Sequence, residues 1–306
     1  MSIRKIRDNF ANRSPLIRKK EAEQNSIENI REKIEEAECI VVGAGSGLSS
    51  AAGLDYQSES FFADKYSVFQ KKGYKTVWDG LIDNWNLTRQ NARTYWGFWA
   101  THIFNIYYSN EQLGIYKMLY EMIKEKEHFI ITTNVDGQFH KGNFDSSKVW
   151  AMQGSYGHFQ CQEGCHNEIY SNKESINDML NGLDKETLLI REEDIPICEK
   201  CSALMHPNIR IDSHFVEAEH MENRKGYIDF INNINREKVV FLELGVGFNT
   251  PVIIRYPFEN MTEAFDNATL IRVNRDAEFT SEAIQEKSIG TNMDIAEVIS
   301  RLMGTD

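Results

Sequence analysis

A chain of 306 residues, 41% hydrophobic and 26% charged, can bury one large core with an insert or two modest cores. No stretch approaches 18 uninterrupted apolar residues, which excludes a membrane-spanning helix, and the basic start MSIRKIRDNFANRSPLIRKK lacks the apolar core of a secretory signal, so a cytoplasmic location is expected. A net charge of −12 repels phosphate backbones and argues against nucleic acid or a membrane as partner; the basic run 4–20 reads as a solvated helix.

In chain order, residues 15–37 place Ile17, Ile27, Ile30 and Ile34 among charged neighbours, the pattern of an amphipathic helix, and residues 1–37 form an N-terminal helical extension. ECIVVGAGSG follows, an apolar run that suits a parallel strand buried on both faces and ends in glycines before a helical SSAAGL. The same grammar returns in HFIITTNVDG (128–137), KVVFLELGVGF (238–248) and ATLIRVNRD (268–276), with helical patterns at 110–127 and 293–303. Strands alternating with helices predict an α/β fold, a Rossmann-like doubly wound parallel sheet that binds ligands beyond the strands' carboxyl ends. Two segments interrupt it. Residues 58–108 are helical but irregular, with Phe61, Phe62, Trp78, Trp85, Tyr95, Trp96 and Trp99, and residues 158–206 hold four of the five cysteines. The sheet domain then comprises 38–57, 109–157 and 207–306.

Three constellations carry chemistry. Cys161 and Cys165, then Cys198 and Cys201, form two knuckles that match a closed tetrahedral zinc site; reduced thiols paired by chance are the alternative. His166 or His206 could replace a thiolate, though neither is needed, and a complete four-thiolate shell leaves no open position, so the metal is structural. Cys39 reads as a small buried hydrophobe. The glycine loop Gly43-Ala44-Gly45-Ser46-Gly47 serves either a structural turn or the close approach of a pyrophosphate. A hydride-transfer enzyme would also need an acidic residue at the end of a second strand about 20 residues on, and the irregular DYQSESFFADKYSVFQ offers none. Thr132-Thr133-Asn134-Val135-Asp136-Gly137 ends a strand with an amide and a carboxylate on the same side, able to bracket a ribose or a carboxamide; it is also an ordinary turn composition.

The order of these motifs, continued by Gln153-Gly154-Ser155 before the cysteines, LGVGFNT and RVN, resembles the sirtuin family from about residue 38 to 303. The resemblance implies an NAD-binding Rossmann-type domain, a small zinc-bearing domain at 158–206, and cleavage of the nicotinamide–ribose bond of NAD. It makes Asn134 and Gln153 catalytic and gives Asp136 the nicotinamide. Gly43, Ala44, Gly45, Ser46 and Ser49 fall at the pyrophosphate, with Gly53, Leu54 and Asp55 after them, and Gly245, Gly247, Asn249, Thr250, Asn274 and Arg275 at the adenosine. The zinc ligands are Cys161, Cys165, Cys198 and Cys201.

The departures from the family pattern are as informative. The family's catalytic histidine falls on Gln153, its PDFR segment is reduced to Asp55-Tyr56, and its peptide-pairing strand reads NIRIDSHFVE at 208–217. These features resemble the macrodomain-linked bacterial class, class M. For that class the implied activity is protein ADP-ribosylation of a lipoyl-carrying homologue of the glycine cleavage H protein, under oxidative stress and with a functional link to a macrodomain hydrolase. Glutamine cannot accept a proton, and loss of a general base costs about 10²–10⁴ in rate, so a reaction needing no such base fits better than deacylation. An NAD-dependent lysine deacylase and a non-catalytic NAD or ADP-ribose sensor are the competing expectations.

Overall fold

The computed structural model describes residues 15–109, 111–248, 251–275 and 281–305. Residues 1–14 of the expected N-terminal extension, and Asn249 and Thr250 of the expected adenosine site, lie outside them. The strands among the described residues are β1 (Cys39–Ala44), β2 (Glu127–Thr132), β3 (Val149–Ala151), β4 (Gly154–Cys161), β5 (Tyr170–Ser171), β6 (Met205–Ile209), β7 (Val239–Leu244), β8 (Ala268–Val273) and β9 (Ser288–Thr291). Six of them make one parallel sheet in the order β3-β2-β1-β7-β8-β9.

β1 and β7 are buried at every position, as a strand covered on both faces must be. Successive side chains feed opposite layers. Ile40, Val42, Leu242 and Ile271 meet Ile27, Ile30 and Ile34 of helix Pro15–Glu36, together with helices Gly114–Ile123 and Ile295–Met303; the side chain of Ile17 lies outside the described residues. Val41, Phe241 and Leu270 meet Phe258 of helix Arg255–Ala264 and Tyr227 and Phe230 of helix Met221–Asn233. The sheet is therefore doubly wound, as the sequence predicts. β3 and β9 extend it at both edges; at three and four residues, neither is long enough for a period to show in the sequence. The apolar runs also bury charge. Register sets Glu243 beside Arg272, whose guanidinium donates to both carboxylate oxygens at 2.7 and 3.0 Å, and Arg255 and Glu259 complete a quartet.

The two interrupting segments share a second apolar cluster. Phe62, Tyr66, Trp96, Phe98 and Trp99 pack with Phe159, Ile176, Leu188 and Met205, around an antiparallel sheet of order β5-β4-β6. Within 208–217 the strand stops at Ile209. Asp212 Oδ1 accepts from the His214 N–H at 2.7 Å, and the Asn208 amide reaches both Gln160 and the Val216 carbonyl, so the chain folds back on itself. Strand order reverses between β1 and β7, and a crevice opens outside their carboxyl ends. Among the described residues no helix is long and apolar enough to cross a membrane.

Candidate active site

The loops after β1 and β7 interlock through glycines. Gly45 N–H donates to the Leu244 carbonyl and Gly47 N–H to the Gly245 carbonyl, both at 3.0 Å. A Cβ on Gly45 would lie 2.6 Å from the Gly245 carbonyl oxygen, and one on Gly47 would lie 2.7 Å from Gly245 Cα. Gly245 itself has φ +64°, and a Cβ there would lie 2.4 Å from the Leu48 nitrogen. Gly43 lies inside β1, where a Cβ would strike Ile254 at 2.5 Å. These glycines therefore serve close backbone packing, whatever ligand lies above them. Gly247 differs: a Cβ there meets nothing within 4 Å, and the residue faces an open cleft.

β2 delivers the polar groups. Thr132 Oγ1 donates to the Ala44 carbonyl and accepts from the Asn134 N–H, both at 3.0 Å, which bends the chain out of the sheet. The Asn134 amide then donates to the Gly45 carbonyl at 3.0 Å, tying this strand end to the glycine loop. Asp136, 4% exposed, accepts from Ser49 Oγ at 2.5 Å and from the Gln138 N–H at 3.0 Å. Burial pushes its carboxyl above the ordinary range against the pull of these bonds. The Tyr116 hydroxyl lies 3.2 Å from Ser49 Oγ, closing the group from the helix side.

Above these residues lies a cleft of about 810 Å³, within the range of small-molecule sites. Of the residues expected from sequence, Ser46, Ser49, Leu54, Asp55, Asn134, Asp136, Gly245, Gly247, Asn274 and Arg275 line it. The Asn274 amide donates to the Val246 carbonyl at 2.6 Å, bracing the β7 loop. Gly43, Ala44, Gly45 and Gly53 do not reach the lining, and neither does Gln153. Gln153 sits half-buried in the turn between β3 and β4. Backbone bonds from Met152 N–H to Thr132 and from Tyr156 N–H to Val135 hold that turn beside the Asn134 loop. Its carbonyl accepts from the Arg210 N–H at 3.0 Å, and the Arg210 guanidinium stacks 4.3 Å over Phe215.

Sequence reasoning missed the far wall of the cleft, built by Tyr56, Trp78 and Tyr156. The Tyr56 hydroxyl donates to that of Tyr156, and burial raises both phenols, so they remain neutral. His102 packs edge-on against both rings at 5.1 Å, fully buried, bonded through Nδ1 to the Tyr66 hydroxyl at 2.9 Å, and pushed down to about 3, hence uncharged. Nothing local in the sequence marks these residues, because each comes from a different element and only packing brings them together. Asp294 was legible: it caps the helix Ile295–Met303 through the N–H groups of Ala296 and Glu297, in the Asp-then-apolar pattern of a helix start.

The four cysteines converge. Their sulfurs lie within 4.8 Å of one another, with Cys161–Cys201 at 3.5 Å and Cys165–Cys198 at 3.7 Å. A tetrahedron with Zn–S of about 2.3 Å has edges of about 3.8 Å, so the donors are gathered closely enough to hold a zinc ion. Cys161 and Cys198 are buried and Cys165 and Cys201 exposed, and His166 Nδ1 lies 3.0 Å from the Cys165 sulfur, as an orienting partner rather than a needed fifth ligand. Cys39 is apart and buried, its thiol pushed up to about 11 by desolvation.

A doubly wound sheet with a ligand-sized cleft at its reversal point, carrying a four-thiol knuckle on a separate small sheet, defines a narrow class of protein. No family model matches the chain. It is 31% identical over 282 residues to the Protein ADP-ribosyltransferase of Staphylococcus aureus, an alignment covering 91% of this chain and 87% of that one. It is 30% identical over 263 residues to the Probable bifunctional ADP-ribose hydrolase/ADP-ribosyltransferase of Fusarium oxysporum f. sp. cubense, across 83% of this chain and 43% of that protein. The solved structure of Sir2Tm bound to a propionylated peptide shares the fold, with a TM-score of 0.56 at 17% identity over 92% of this chain and 99% of that one. The chain belongs to the family of the Staphylococcus protein ADP-ribosyltransferase and has the sirtuin fold.

Proposed function

We propose that the chain is an NAD-dependent protein mono-ADP-ribosyltransferase. The observation that carries this reading is a cleft lined by Asn134 and Asp136, with Gln153, at the position of the family's base, in the turn held beside them. In the proposed reaction the bond between ribose C1 and nicotinamide breaks. Nicotinamide leaves neutral with the bonding electrons, and an ionised carboxylate of the acceptor protein bonds to C1. No proton has to be removed, so a glutamine is sufficient. Asn134 and Asp136 hold the carboxamide and face the positive charge that develops on the sugar. Gln153 orients the ribose hydroxyls from its turn. Ser46, Ser49, Leu54 and Asp55, with Gly43, Ala44, Gly45 and Gly53 behind them, frame the pyrophosphate, and Gly245, Gly247, Asn249, Thr250, Asn274 and Arg275 the adenosine. Residues 38–57, 109–157 and 207–306 act as the NAD domain, 58–108 as its helical insert, and 158–206 as the zinc domain.

The acceptor we infer is a lipoyl-carrying protein like glycine cleavage H, modified in the cytoplasm during oxidative stress and restored by a macrodomain hydrolase. The Fusarium relative, named for both an ADP-ribose hydrolase and an ADP-ribosyltransferase, supports the pairing with a hydrolase. The test uses labelled NAD with a lipoylated carrier protein and, separately, with an acetyl-lysine peptide. The wild-type protein should label the carrier, release one nicotinamide per transfer and leave the peptide acetylated. Gln153→Ala should slow transfer about tenfold through lost hydrogen bonds. Gln153→His should not create a deacylase, because the chain folds back at 210–217 where the peptide strand would run. Efficient deacetylation by the wild-type protein would overturn the assignment.

A further inference from the structure

Helix Val77–Asp83 is apolar on two sides. Val77, Gly80 and Leu81 face the aromatic core, whereas Trp78 and Ile82 point outward at 44% and 73% exposure, and Trp85 just past the helix is 43% exposed. Trp78 and Ile82, four residues apart, share one side of the helix, and Trp85, beyond its end, rests on the buried Trp99 at 6.4 Å with the rest of its ring exposed. A single exposed apolar residue is ordinary, but three large ones in a row mark a contact surface. The helix's acidic groups do not break the stripe. Asp79 accepts from the backbone N–H groups of Lys75 and Thr76 at the helix start, and Asp83 accepts from the Tyr74 hydroxyl. At its head the stripe joins the cleft. Trp78 is part of the lining, its backbone N–H donates to the Tyr56 carbonyl at 3.4 Å, and the two rings meet edge to face at 6.3 Å.

We propose that Trp78, Ile82 and Trp85 dock the acceptor protein, gripping an apolar patch next to the residue that receives ADP-ribose. The inference rests on the transferase reading. A nucleophile can reach a ribose held above Asn134 and Asp136 only through the mouth of the cleft, so the acceptor's surface must settle on the rim. Trp78 is where that rim continues outward as apolar surface.

Ile82 stands clear of the cleft and gives the test. Ile82→Glu and Ile82→Arg are compared with wild type in steady-state transfer to the lipoylated carrier protein and in nicotinamide release without acceptor. Both variants should raise KM for the carrier about tenfold, while kcat, NAD affinity and acceptor-free release change by less than about twofold. Wild-type transfer with an unchanged KM in both variants overturns the docking site and leaves the transferase reading standing. No transfer by the wild-type protein overturns that reading and the docking partner with it. A wild-type dimer that either variant splits in sedimentation assigns the stripe to a second copy of the chain and overturns the proposal. If the variants melt early, hydrogen exchange of the wild-type protein decides: residues 77–85 gain protection with the carrier present, and unchanged exchange overturns the contact.

Discussion

Asp136 shows how the site departs from what stability alone would choose. Its carboxyl is 4% exposed and held by Ser49 and the Gln138 N–H, yet burial still raises its pKa above the ordinary value. The folded protein thus binds this proton more tightly than the unfolded chain does. The stability linked to it is fully present below the carboxylate's unfolded pKa of about 3.9 and is lost as pH rises through the folded value. Asp136→Asn removes that liability while keeping a similar shape. The variant should melt a few degrees above wild type at pH 7.5, worth about 1 kcal/mol, with the gap narrowing toward pH 4. Nicotinamide release should fall about 10²-fold, because the charge proposed to face the developing cationic sugar is gone. Melting curves across pH, set beside a release assay, check both halves. A variant that melts with wild type at pH 7.5 would show that the carboxylate carries no such cost.

At the scale of elements, two glycines two positions apart, Gly245 and Gly247, divide the labour of the β7 loop. Gly245 combines φ +64° with a backbone nitrogen 2.4 Å from where a Cβ would sit, so Gly245→Ala should cost about 2–4 kcal/mol through strain and the loss of the interlock with Gly47. Gly247→Ala meets nothing within 4 Å and should leave the melting temperature unchanged while lowering NAD affinity by intruding on the cleft. Calorimetry and thermal melts on the pair separate structural from ligand-facing glycine, and equal effects of the two substitutions on both readouts would contradict that division. The same loops show what the sequence makes legible. β1, β2, β7 and β8 are readable because each is an unbroken apolar run with polar residues at its end. That Gly45 and Gly47 exist to meet Gly245 is not readable, since the partner lies about 200 residues away and only strand order brings it near. Glu243 and Arg272 look like flaws in apolar strands until register pairs them. The Tyr56, Trp78 and Tyr156 wall escapes because tertiary packing alone assembles it, whereas Asn134, Asp136 and Asn274 announce themselves as polar residues ending apolar strands.

At the scale of the molecule, the cleft has two walls of different origin, and the zinc knuckle belongs to only one. The glycine loops and the Asn134–Asp136 corner hang from the parallel sheet, while Tyr156 and its neighbours belong to the aromatic cluster that also contains Cys161 and Cys198. Structural zinc contributes folding free energy directly, about 10–16 kcal/mol in isolated zinc-finger peptides, so its loss should loosen this cluster first. Of the five tryptophans, Trp78, Trp85, Trp96 and Trp99 lie on that side and Trp150 is in β3, so tryptophan signals report mainly on the zinc-bearing half. Cys198→Ser should therefore abolish stoichiometric zinc by elemental analysis and flatten near-ultraviolet dichroism. It should keep most of the far-ultraviolet signal of the sheet and its helices, and weaken NAD binding, because the aromatic wall is no longer held against the glycine loops. A Cys198→Ser protein that retained one zinc per chain and its near-ultraviolet spectrum would rule out the four-thiolate site. Loss of zinc with undiminished NAD affinity would show instead that the sheet side alone holds the dinucleotide.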